Sequence, residues 1–214
     1  MKEQSEIKLH LLFPLKTMIV MAVVLLAISM TFAFRSRNNI MGNTKNDNAI
    51  NTDSAESVKA FMQVYKVLMS PACMNCHPAG DAPLQGLDGH PHTMNVKRGK
   101  DGTGLYAAKC SNCHQPQNTP GSHTPPGSPD WQLPPENMKM IFQGRTPHQL
   151  ALQLMNYNQN GHKNKEQLIA HARTTLVKKG WDLGEGRIQP PMSYSSFVIV
   201  WDEWIKKGGY APGQ

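Results

Sequence analysis

All four cysteines of this 214-residue chain fall in two five-residue strings, CMNCH at 73–77 and CSNCH at 110–114. Cysteines at i and i+3 lie on one face of a helical turn, and the residue at i+4 falls on that face too. Thiols at this spacing can form thioethers with the two vinyl groups along one haem edge, and the histidine then reaches the iron. The reading is two covalent c-type haems, tethered by Cys73 and Cys76 and by Cys110 and Cys113, with His77 and His114 as iron ligands. This limits the fold, because only 39% of residues are apolar. A chain so poor in core residues needs a bulky apolar body at its centre.

Other cysteine chemistries account for the pattern less well. A four-thiolate zinc site uses paired cysteines but asks for no histidine after each pair, and the gap between the pairs is long for a zinc ribbon. Disulfides between i and i+3 within one turn are usually catalytic. A thioredoxin-like site needs a βαβ context, and no strand series is legible here.

Each iron takes a sixth ligand or is left open; methionine raises the reduction potential relative to a second histidine. The candidates are His90, His92, Met94, His123, Met138, Met140, His148, His162, His171 and Met192. His92 sits in a Gly/Pro loop between the two motifs. Met140 follows a proline-dense wrap and precedes Ile141 and Phe142. His171 lies in a helix beside Leu168 and Ala172, and Met192 follows Pro190-Pro191. Lys97, Arg98 and Arg145 are candidates for haem propionates, weighed against ordinary surface charge.

Residues 17–34, TMIVMAVVLLAISMTFAF, carry no charge. They predict a transmembrane signal anchor, with a cleaved signal peptide as the competing reading. The predicted order is a cytoplasmic N-terminus (1–16), the membrane helix (17–34), a polar, Asn-rich flexible linker (35–52) and a dihaem domain (53–214). The domain lies on the periplasmic face of the inner membrane, or free in the periplasm if the segment is cleaved. Asp53 and Glu56 resemble a helix start, and Pro71 ends that helix. GLYAAKC is expected as a short helix. Seven prolines between 116 and 135 exclude regular structure there. Thr146-Pro147-His148-Gln149 reads as an N-cap with a capping box. One helix is expected from about Asn164 to Lys179, and a last one with Phe197, Val200, Trp201, Trp204 and Ile205 on one stripe. The fold class is mainly α: cytochrome c-like helices with long Pro/Gly loops around two covalently bound haems, preceded by the transmembrane helix. The net charge of +7 is mild and forms no stripe interleaved with aromatics, so nucleic acid is not an expected partner.

The strings CMNCHPAGDAPLQG, HTMNVKRGKDGTG, CSNCHQPQNTPGSHTPPG, WQLPPENMKMIF and QLMNYNQNG together resemble a group of dihaem cytochromes c labelled isoquinoline 1-oxidoreductase subunit. Those proteins are associated with molybdenum hydroxylases. The resemblance covers roughly residues 58–210. It implies that His92, His123, Met140 and His171 are characteristic positions and that Met192 is not. Relatives carry a cysteine where this chain has Ala151. The resemblance implies an electron-transfer protein with no substrate chemistry of its own, its donor a molybdenum-dependent oxidoreductase and its acceptor another cytochrome or the respiratory chain. The alternative is a dihaem peroxidase-type enzyme with one open iron. A membrane-linked haem sensor is disfavoured, because only about sixteen residues precede the apolar run.

Overall fold

A computed structural model describes the backbone of residues 15–214 and the side chains of residue 19, of 21–31 and of 52–214. The segment 1–16, expected on the cytoplasmic side, lies outside the residues whose side chains are described. The chain divides into two compact units, with the break between Ile50 and Asn51.

The first helix, α1, runs from Leu15 to Leu68. Its backbone stays helical through 35–52, where a flexible linker was expected. That stretch is polar, but α1 contains no proline and a single glycine, Gly42, so no residue in it breaks the i to i−4 ladder outright. Asp53 and Glu56 are therefore not a helix start; both pair with Lys207.

The expectation of a transmembrane helix at 17–34 is corrected: among the described residues, no helix is long and apolar enough to cross a membrane. The uncharged run 17–34 makes about 27 Å of helix at 1.5 Å per residue, against about 30 Å of hydrocarbon.

The second unit is built on the end of α1. Five further helices follow: α2 (Pro71–Met74), α3 (Pro147–Met155), α4 (Lys165–His171), α5 (Thr175–Lys179) and α6 (Tyr194–Lys206). Two minimal hairpins lie between α2 and α3. In the first, β1 (Leu84–Gln85) pairs antiparallel with β2 (His90–Pro91). In the second, β3 (Gly104–Leu105) pairs with β4 (Ala108–Lys109). The second hairpin replaces the helix expected for GLYAAKC. Gly104 has φ +96, and a Cβ there would run into the Ala108 carbonyl oxygen. Only glycine admits that approach, and it starts a turn rather than a helix.

The core forms where α1 presents Phe61, Val64, Val67 and Leu68 to Leu150, Ala151 and Leu154 of α3, Leu168 of α4 and Phe197, Trp201, Trp204 and Ile205 of α6. The Phe61 and Trp204 ring centroids are 4.6 Å apart. Buried polar groups in this core are partnered. Trp201 Nε1 donates to Leu168 O (2.9 Å), and Ser57 Oγ donates to Trp204 O (2.9 Å) while accepting from Tyr210 N (3.0 Å).

The capping box at Thr146 and Gln149 is present, and Asn164 and Gln167 form another. The single helix expected from Asn164 to Lys179 is split. Thr174 Oγ1 donates to the last-turn carbonyl of His171 (2.9 Å), and Thr174 then becomes the N-cap residue of α5. A threonine that bonds locally to the backbone competes with helix continuation.

Candidate functional site

The two cysteine strings are held by the same construction. At the first, Pro71 opens α2, and Cys76 N and His77 N donate to Cys73 O (3.2 Å) and Met74 O (2.9 Å). Both thiols and the imidazole thus share one tight turn. His77 Nδ1 donates to Met140 O (2.7 Å). A carbonyl can only accept, so this bond assigns the proton to Nδ1 and leaves Nε2 as the lone-pair nitrogen. The ring stacks on Phe142, with centroids 3.8 Å apart and planes within 7°. The His77 carbonyl in turn accepts from Phe142 N (2.9 Å) and Gln143 N (3.3 Å). Segment 140–143 therefore fixes His77 from ring and main chain together.

At the second string, Cys113 N and His114 N donate to Cys110 O (3.2 and 2.9 Å). His114 Nδ1 donates to Pro126 O (2.7 Å), and its ring stacks on Trp131 at 4.2 Å and 8°. Orientation of a metal-binding imidazole by a carbonyl on its other nitrogen is the usual support for such a ligand.

Burial sets the chemistry of these groups. His77 is pushed down from 6.5 to about 4, chiefly by desolvation, with smaller contributions from the charges of His171 and Arg98, partly offset by the bond to Met140. His114 is lowered by desolvation, and the charges of His92 and Arg187 act in the same direction. Both rings are neutral at pH 7, the form that ligates metal. Cys73 is raised to about 12 and Cys76 to about 11, in each case first by burial.

A cavity of about 450 Å³ opens beside the first string, bordered by Cys73, Cys76, His77, Met140 and His171 and by the rings of Trp131, Phe142, Trp181, Phe197 and Trp201. Its size lies within the range of cofactor sites. Thiols at the edge, a neutral imidazole with Nε2 available and an aromatic and aliphatic wall suit a haem. Trp131 borders this cavity and also stacks on His114, so one indole belongs to both sites.

The sequence candidates separate cleanly. His92 comes to the second site: its ring centroid lies 6.4 Å from that of His114, with planes at 62°, and its Nδ1 donates to Thr93 O (2.9 Å). His171 reaches the cavity of the first site; its own pKa is lowered by burial. Met140 borders the same cavity, and its main-chain oxygen, at φ 47, is the acceptor for His77, which leaves the side-chain sulfur unengaged by that bond. His123 is exposed, tied through its N–H to Glu185 O (3.1 Å) and through its carbonyl to Arg187. It does not border the cavity. Met192 gives its carbonyl to Trp181 Nε1 (2.7 Å). Sequence reasoning missed the stacking roles of Phe142 and Trp131. An aromatic isolated in a proline wrap was the one available signal for Trp131.

All four cysteines are free thiols, and among the described residues no three or more His, Cys, Asp or Glu side chains gather as a metal site. The zinc alternative needs four converging thiolates, which this arrangement does not provide. No protein-family model, no curated protein and no solved structure matches the chain.

Proposed function

We propose that this chain is an electron-transfer protein carrying two covalent haems, attached through Cys73 and Cys76 and through Cys110 and Cys113. His77 and His171, which border one cavity, would hold the iron of the first, and His114 and His92 that of the second. The observation that carries the reading is the His92–His114 pair. Were both imidazoles to bind one metal through Nε2 at about 2 Å, their ring centres would lie roughly 6 Å apart. The observed separation is 6.4 Å, and both rings have Nδ1 engaged with a backbone carbonyl.

The iron supplies a one-electron change when bound. The chain's residues hold it still: Pro126 and Met140 fix the two imidazoles, Trp131 and Phe142 prevent them from tilting, and the core of α1, α4 and α6 excludes water from the first site. If two histidines held each iron, neither would offer a position to peroxide, which favours transfer over peroxidase chemistry. Trp131 spans the two sites, which suits passage between them.

Likeness of the loop strings to dihaem cytochromes associated with molybdenum hydroxylases supports a molybdenum-dependent oxidoreductase as donor and a cytochrome or the respiratory chain as acceptor. Covalent attachment through thiols supports a periplasmic location in a bacterium.

The test is intact-mass and spectroscopic analysis of the full chain matured after export. Two covalently added haem masses and two low-spin ferric signals are expected. Cys73→Ser and Cys110→Ser each weaken or abolish attachment at one site. A colourless protein, or colour lost entirely to acidified acetone, overturns the proposal; a high-spin site with rapid peroxide turnover favours the enzyme instead.

A further inference from the structure

Each cysteine string carries an asparagine between its cysteines, and each asparagine holds the turn of a hairpin. Asn112 Nδ2 donates to Ala107 O (2.5 Å), in the turn between β3 and β4. Asn75 Nδ2 donates to Gly86 O (3.0 Å), in the turn after β1, and Asn75 O accepts from Leu84 N (2.9 Å). Asn75 therefore grips β1 with side chain and main chain together. The same turn packs on the string, since a Cβ on Gly89 would stand 3.6 Å from Met74 Cε.

The β3–β4 hairpin contains no histidine or methionine. The β1–β2 hairpin leads directly into His92, the residue that meets His114 at the other string. Two contacts with β1 and its approach fix that exit. His92 N donates to Pro83 O (2.8 Å), just before β1. Gln85 Oε1 accepts from Thr93 N (3.3 Å) and Thr93 Oγ1 (3.4 Å), and Thr93 O is in turn the acceptor for His92 Nδ1 (2.9 Å). A line of hydrogen bonds and adjacent residues thus runs from the first cysteine string, along β1, to an imidazole at the second. His171, the counterpart at the first site, is carried instead by α4, which packs on α6 through Leu168 and Trp201.

We infer that Asn75 is a positioning residue for the opposite site: lying between the thiols of the first string, it sets, through β1 and Gln85, where His92 stands against His114. This rests on the haem reading above. Partners that orient a ligating imidazole govern how firmly it holds a metal. The hold of His92 on the second iron is then tied to the order of the first string, and a change at Asn75 is read at the other haem. Asn75 Oδ1 has no hydrogen-bond partner among the described residues, so truncation to alanine removes the side-chain grip on Gly86 without breaking a bond at the other amide atom.

The experiment is cyanide titration of the haem-loaded full chain, read by electron paramagnetic resonance, for the wild type and the Asn75→Ala, Asn75→Asp, Gln85→Ala and Gln85→Glu variants, after haem content is counted by intact mass. The signal that His92→Ala converts identifies the second site. Cyanide and His92 compete for one position, so a looser His92 shows as tighter apparent cyanide binding there. Loss of one hydrogen bond in the line is expected to raise that affinity about three- to tenfold in Asn75→Ala and in Gln85→Ala, with the His171 site unchanged. Gln85→Glu keeps the acceptor for Thr93 and is expected to behave as wild type. Should Asn75→Ala fail to load both haems, Asn75→Asp carries the test, because it keeps the side chain's size and turns an oxygen on Gly86 O. Two haems present with the second-site affinity unmoved in the Asn75 variants overturns the inference. So does a rise at the His171 site in place of the His92 site, or a rise in Gln85→Glu equal to that in Gln85→Ala. A wild-type chain without haem, or signals that are both indifferent to His92→Ala, instead overturns the reading beneath it.

Discussion

Phe142→Ala is the most informative single change, because it separates the burial of His77 from its bonding. Phe142 is 5% exposed and lies flat on the imidazole at 3.8 Å. Desolvation is the main reason that His77 protonates near 4 rather than 6.5. A proton and a metal compete for the same Nε2, so this depression protects the ligand from acid by up to about 3 kcal/mol, at 1.36 kcal/mol per pH unit. The sign is fixed by linkage. A folded-state value below the unfolded one means that the unfolded chain binds more protons between pH 6.5 and 4. Stability tied to His77 is therefore complete above about 6.5 and is lost as pH falls toward 4. Truncating Phe142 lets water reach the ring while the Met140 carbonyl stays in place, so His77 moves back toward 6.5. The assay is acid titration of the optical spectrum of the loaded protein, following ligand loss at each site. The midpoint of the first site is expected to rise by about one to two pH units. The second site, whose imidazole stacks on Trp131, serves as the internal control and keeps its midpoint. Truncation also costs about 3–5 kcal/mol of stability, so the titration is run well below the unfolding temperature. An unchanged first midpoint with the variant folded and loaded would refute burial as the cause.

Further outcomes follow from the same geometry. His92→Ala is expected to convert one of two low-spin ferric signals to high spin, whereas His123→Ala leaves both unchanged; electron paramagnetic resonance decides. His171→Ala is expected to convert the other signal and leave the His92-dependent one intact. Trp201→Phe keeps the ring in the core but removes the indole N–H that serves the Leu168 carbonyl, leaving that oxygen only the longer bond from Ala172 N (3.4 Å). It should cost about 1–3 kcal/mol in denaturant unfolding, with an unchanged denaturant slope.

What the sequence made legible was local. The cysteine strings, the capping box at Thr146 and the apolar stripe of the last helix each depend on neighbours within one or two turns, so their patterns survive in one dimension. What it hid was set by distant chain. Phe142 and Trp131 lie 65 and 17 residues from the histidines they cover, with no periodicity linking them. Met140 stood out for its sulfur, yet its main-chain oxygen is what holds His77. The run 35–52 has the composition of a tether, but weak helix propensity spread over many residues bends nothing without proline. The break between α4 and α5 turns on one threonine hydroxyl choosing a carbonyl within its own turn. The membrane expectation rested on a run already at the lower edge of spanning length, where small differences in length and apolarity decide the outcome.

The desolvated thiols carry a consequence for their own reactivity. Cys73 is pushed up to about 12 and Cys76 to about 11, each first by burial, although both side chains keep part of their surface accessible at the cavity edge. The thiolate is the reacting form of a cysteine, so the folded turn holds both sulfurs far from it at pH 7. Chemistry that draws on these sulfurs runs more readily where water can stabilise the anion than inside this turn.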